Sequence, residues 1–106
     1  MGWREDFAWA AGLFEGEGSI TLAPRPRLQM KMTDEGVVRR FAEILGVGKV
    51  YGPYGPYGYD PPNRLQKKPA WMWICEGQAA GEVVEVLRPW LSPRRLAQAR
   101  NVGFLL

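Results

Sequence analysis

Trp9-Ala10-Ala11-Gly12-Leu13-Phe14-Glu15-Gly16-Glu17-Gly18-Ser19-Ile20 is the stretch on which the fold turns. It reads as an apolar helix whose C-terminal end carries two carboxylates set between glycines. A helix end of that polarity exposes unpaired carbonyls and a partial negative charge, so stability alone would place Lys or Arg there. A bound cation would remove the conflict, because hard cations such as Mg²⁺ take carboxylate and carbonyl oxygens. Gly12 and Gly16 are the second anomaly: each costs a helix about 1 kcal/mol relative to Ala. Four residues apart, they share one face and would let another helix backbone come close.

Outward from this helix, predicted over residues 5–16 with Glu5 and Asp6 at its positive end, the chain changes period. Residues 19–23 alternate, with Ile20 and Leu22 on one side and Ser19 and Thr21 on the other. Pro24-Arg25-Pro26 reads as a tight connection. Then Leu28, Met30 and Met32 alternate with Arg27, Gln29 and Lys31, which gives a hairpin with one apolar and one basic, polar face. Thr33 reads as the N-cap of a second helix, with Asp34 and Glu35 in its first turn. Val37, Val38, Phe41, Ile44 and Leu45 follow helical spacing, and Gly46 ends it. Residues 49–54 and 69–75 form a second strand pair, in which Trp71, Trp73 and Cys75 alternate with Met72 and Ile74. Core packing is the expected role of the two tryptophans. Residues 78–87 make a third helix stopped before Pro89, and Ser92-Pro93 opens a final one. The order predicts an α+β fold, helices on one face of an antiparallel sheet.

Composition narrows the chemistry. A chain of 106 residues, 46% apolar, is expected to form a single domain spanning residues 1–106. No apolar run approaches a membrane span, and residues 1–6 lack the apolar core of a signal peptide, so a cytoplasmic protein with no membrane partner is expected. With no His and Cys75 as the one cysteine, Cys/His zinc sites, Ser-His-Asp triads and Cys-His nucleophiles are excluded within one chain. No glycine-rich phosphate loop appears either. The net charge of +3 is modest, but it is segregated. Arg25, Arg27 and Lys31 lie in one acid-free stretch, Arg64, Lys67 and Lys68 in another, and Arg88, Arg94, Arg95 and Arg100 in a third. Segregation of this kind points to a polyanion surface. Residues 51–59 repeat Tyr-Gly-Pro with period three, a loop suited either to phosphate and sugar contacts or to no partner at all.

Residues 10–18, Ala-Ala-Gly-Leu-Phe-Glu-Gly-Glu-Gly, resemble the nine-residue motif of the LAGLIDADG homing endonucleases, with Ala10 in place of Leu and Glu in place of both Asp. The resemblance implies an αββαββα core whose antiparallel, saddle-shaped sheet sits on double-stranded DNA. It implies that the motif helices pack together through Gly12, Leu13 and Gly16. One motif per chain implies a homodimer. Glu17 would bind the catalytic metal, Mg²⁺, while Glu15 would be structural. Residues 87–99 also resemble the family, which often has a Lys near the scissile phosphate in this region; Arg94 is the best match and Arg95 the next. Asp34 matches a polar position near the cleavage centre, and helix capping is its equal alternative. Arg25, Arg27, Gln29, Lys31, Arg64, Lys67, Lys68 and Arg95 are the expected DNA contacts. The function implied is metal-dependent, site-specific cleavage of duplex DNA, with no small-molecule cofactor, in the setting of a mobile intron or intein. Two alternatives stand beside it: a non-catalytic DNA-binding regulator or RNA maturase of the same fold, and a structural domain that dimerises through Gly12 and Gly16.

Overall fold

The computed structural model describes residues 2–22, 24–54 and 68–105. Arg64, Lys67 and the Tyr57 and Tyr59 part of the Tyr-Gly-Pro repeat lie outside the described residues. The elements follow the expected order: α1 (Trp3–Glu17), β1 (Gly18–Thr21), β2 (Arg27–Met32), α2 (Glu35–Leu45), β3 (Lys49–Tyr54), β4 (Ala70–Glu76), α3 (Gly77–Leu87), a short 3-10 turn (Arg88–Trp90) and α4 (Pro93–Asn101).

Local chemistry sets several boundaries. The first turn of α1 holds Glu5 and Asp6, as the helix dipole favours, and its last turn holds no basic residue. The N-cap of α2 is Asp34 rather than Thr33: the Asp34 carboxylate accepts from the Val37 backbone N–H at 3.1 Å. A carboxylate beside the positive end of a helix is favoured by charge as well as by hydrogen bonding, which decides between two adjacent candidates. Gly46 closes α2 in the left-handed conformation, where a side chain would be strained. Ser92 caps α4 with Pro93 in its first turn, as the sequence predicts. β1 stops at Thr21, two residues short of expectation, and Leu22 is exposed.

The four strands form one antiparallel sheet in the order β1-β2-β4-β3, so the two hairpins join through β2 and β4. Gly18 pairs with Met30, Leu28 with Cys75, Met30 with Trp73, and Val50 with Trp73. Residues directly opposite in such a ladder share a face. One face is therefore Ile20, Leu28, Met30, Val50, Trp73 and Cys75; α1, α2 and α3 pack there, and Ala99 of α4 joins the same core. Phe14 of α1 stacks on Phe41 of α2, and Phe41 meets the Trp73 ring edge-on at 4.9 Å between centroids. Trp73 is fully buried, and its indole N–H donates to the Val47 carbonyl at 3.0 Å. Full burial of each large apolar side chain contributes about 1.5–3 kcal/mol, so this cluster is the main source of the fold's stability. No helix is long and apolar enough to cross a membrane among the described residues.

Candidate functional site

Among the described residues the second face of the sheet is left uncovered by the helices: none of its side chains belongs to the core or packs against it. Cross-strand pairing builds it in rows. Thr21, Arg27 and Glu76 form one; Ser19, Gln29, Ile74 and Lys49 form the next; Lys31, Met72 and Tyr51 form the third. Arg27, Gln29 and Lys31 thus stand side by side, as their alternation predicts. Sequence reading misses Lys49, and it places Tyr51 in a loop suited to phosphate contacts or to no partner; both extend the same face across β3. The signal was present in the alternation of Val50, which packs toward the core, with its two neighbours. Glu76 is the acid on this face, and it lies at the rim, 3.8 Å from the exposed Arg25 guanidinium. A cationic, polar sheet surface between flanking strands is complementary to a polyanion.

The end of α1 holds the second constellation. Glu15 is half-buried and accepts from the Ser92 backbone N–H and the Ser92 hydroxyl, both at 2.8 Å, and more loosely from Arg94 at 3.5 Å. Burial raises its carboxyl pKa, but the Ser92 hydrogen bonds and then the two arginines outweigh this and hold it below the ordinary value. The cation that the bare helix end calls for is supplied by the chain itself. Arg95 is buried, and one of its terminal nitrogens donates to the carbonyls of Glu15 and Gly18 at 3.0 and 2.8 Å. Its other terminal nitrogen donates to Gln98 at 3.0 Å. Burial, then Arg94, lowers the Arg95 pKa, and Glu15 partly restores it. A guanidinium remains charged throughout. Arg95, an expected DNA contact, is turned inward, where two carbonyls at the end of α1 and the Gln98 amide oxygen of α4 take its planar set of donors. Arg94, beside it, stays exposed.

Glu17 differs. Its side chain is exposed, with no ion pair or hydrogen bond among the described residues. The backbone continues directly from Glu17 into β1, where Gly18 pairs with Met30 of β2. Gly18 is required by space: a Cβ there would strike the Phe14 ring. Asp34 is engaged in capping α2. Among the described residues no cluster of three or more metal-ligating side chains forms within one chain. Cys75 is buried, and burial, then Glu76 and Glu82, push its thiol pKa up, which suits packing rather than nucleophilic chemistry.

Gly12 and Gly16 lie on the outer side of α1, both exposed, with nothing within 4 Å of a Cβ placed on either. No element among the described residues uses the close approach they permit. Leu13 is half-buried at the edge of the same surface. Lys31 and Lys68 each have an interaction partner, and Lys68 is exposed just before β4.

This arrangement, helices packed over one face of a four-stranded antiparallel sheet among the described residues, is the fold of homing endonucleases. It matches the homing endonuclease I-CvuI in complex with the I-CreI target in the presence of Mg, where the DNA is not cleaved, at 20% identity and a TM-score of 0.67, over 92% of this chain and 63% of that one. I-CvuI with its own target and Ca matches at 21% identity and 0.65, with the same coverage. The archaeal intron-encoded homing endonuclease I-Vdi141I complexed with DNA matches at 13% and 0.63, over 94% of this chain and 68% of that one. The chain thus spans less than two thirds of the I-CvuI structures' length. No sequence-family model and no curated protein matches it.

Proposed function

We propose that residues 1–106 act as one domain of a homodimeric, metal-dependent DNA endonuclease of the LAGLIDADG type. The observation that carries this reading is the uncovered sheet face with Arg27, Gln29, Lys31, Lys49 and Tyr51 in adjoining rows. A two-stranded β-ribbon fits the major groove of duplex DNA, where Arg, Lys and Gln have base-edge partners. The DNA complexes of I-CvuI and I-Vdi141I support the same choice of partner.

The dimer follows from α1. Its outer face has two exposed glycines and no partner within the chain, and a symmetric pair uses such a patch twice. Two copies crossing at Gly12 and Gly16 bring two helix ends, and with them two Glu17 carboxylates, toward one axis. One chain offers a single uncommitted carboxylate there, since Arg95 takes the nearby carbonyls. Glu17 from each copy would hold a hard cation, which would stabilise charge at the scissile phosphate. When bound, Mg²⁺ supplies an activated water and neutralises charge at the leaving oxygen. The chain's own residues do the rest. Arg95 and Ser92 hold the helix end rigid so that Glu17 keeps its direction. Arg94, exposed at the start of α4, adds positive charge toward the phosphate. Asp34, fixed by its cap hydrogen bond to Val37, would orient the attacking water. The mobile intron or intein remains the natural setting for such an activity.

The test of the surface is affinity for duplex DNA as a function of salt. Arg27→Ala and Lys49→Ala should each weaken binding and flatten the salt dependence by about one unit of log–log slope if the residue meets a phosphate, or relax specificity at one position if it reads a base. Binding unchanged in both variants would remove this face from the account.

A further inference from the structure

Met72 and Ile74 break the polarity of the open sheet face. They lie at the centre of β4, in register with Lys31 and Gln29 on one side and with Tyr51 and Lys49 on the other. Both are half-buried, and neither belongs to the core nor to the apolar side chains packed against it, whereas Trp71, Trp73 and Cys75 of the same strand do. Stability gains little from two apolar side chains in the middle of a solvated, cationic surface. Their neighbours supply what a base edge needs beside them. Gln29 is directly opposite Ile74, so an amide and a branched alkyl group stand together at the spacing of a cross-strand pair. In the major groove a T·A pair presents the thymine C5-methyl at one edge and the adenine N7 acceptor and N6 donor at the other, which a Gln amide satisfies in a bidentate way.

We infer that Met72 and Ile74 are specificity-determining residues that contact thymine methyl groups in the major groove, with Gln29 and Ile74 reading one T·A pair together. This rests on the reading of the sheet as the DNA-binding face and names the chemistry of part of its target: duplex DNA carrying a thymine at fixed positions in each half-site. The recognition is of a methyl group, so it is independent of the phosphate charge that drives overall affinity.

The experiment is a selection of randomised duplexes retained by the wild-type protein, followed by binding to the selected duplex with deoxyuridine replacing each thymidine in turn. Loss of one buried methyl weakens binding about threefold to fivefold, so at least one thymine per half-site should show that sensitivity. Ile74→Ser or Met72→Ser, which leave no methyl to meet the thymine, should abolish it at the corresponding position and leave the salt slope unchanged. Gln29→Ala should relax the adenine preference at the Ile74 position. The uracil scan on the wild-type protein stands whether or not a variant folds. A duplex that binds with no uracil-sensitive position, or a pattern unchanged in both variants, overturns the methyl contacts alone. Retention of no duplex at all overturns the DNA-binding reading beneath them.

Discussion

Glu15 and Glu17, two residues apart, carry the same charge into different surroundings. Glu15 is gripped by Ser92 and faced by Arg94 and Arg95, so its pKa lies below the ordinary carboxylate value in the folded chain. A depressed acid pKa stabilises the fold at pH values above the unfolded pKa, and that contribution is lost as pH falls through the folded one. Urea midpoints measured between about pH 6 and about pH 3 should therefore fall less steeply for Glu15→Gln than for wild type across the carboxylate range. The same variant should be less stable than wild type near neutrality, because an amide cannot replace both acceptor oxygens. A steric prediction belongs here as well. Gly18→Ala drives a methyl into the buried Phe14 ring and should cost about 1–3 kcal/mol by urea denaturation, the range for an overpacked core. The sequence shows that Glu15 and Glu17 are anomalous at a helix end, because the anomaly is local. It does not show that Arg95 resolves it. That partnership spans most of the chain, and a basic pair before a Gln-Ala step looks equally suited to phosphate.

Periodicity makes the elements themselves legible. Alternation along β2 and β4 assigns each residue to a face, and the structure keeps those assignments. What alternation cannot supply is register between strands that are far apart in sequence. The alignment of Gln29 with Ile74 and of Lys31 with Met72 emerges from the β2–β4 pairing, which no local turn dictates. Lys49 escapes notice, and Tyr51 reads as loop rather than sheet face, for a related reason: the period is cut short by Gly52-Pro53, and the ladder to β4 is irregular between Tyr51 and Tyr54. For α1 the decisive feature is the outer face. Gly16→Ala adds a methyl into open space and improves helix propensity by about 1 kcal/mol, so the single chain should melt no lower. If two copies meet there, the same methyl separates their backbones, and sedimentation should show the dimer weakened while thermal stability is kept. Dimer strength equal to that of wild type would place the interface elsewhere.

At the scale of the whole molecule, the helices hold the sheet from one side and leave its cationic face open. That division follows from strands whose alternate residues are apolar and polar, and it was readable from the chain. The claim that joins the two sites is that dimerisation through α1 sets paired Glu17 carboxylates beneath a duplex lying on the two sheets. Glu17 is exposed and uncommitted, so its neutralisation should not disturb the fold. The most direct test measures binding and Mg²⁺-dependent strand cleavage of a selected duplex in the same samples of wild type and Glu17→Gln. The account predicts equal affinity with cleavage lost in the variant; cleavage by Glu17→Gln at the wild-type rate would contradict it.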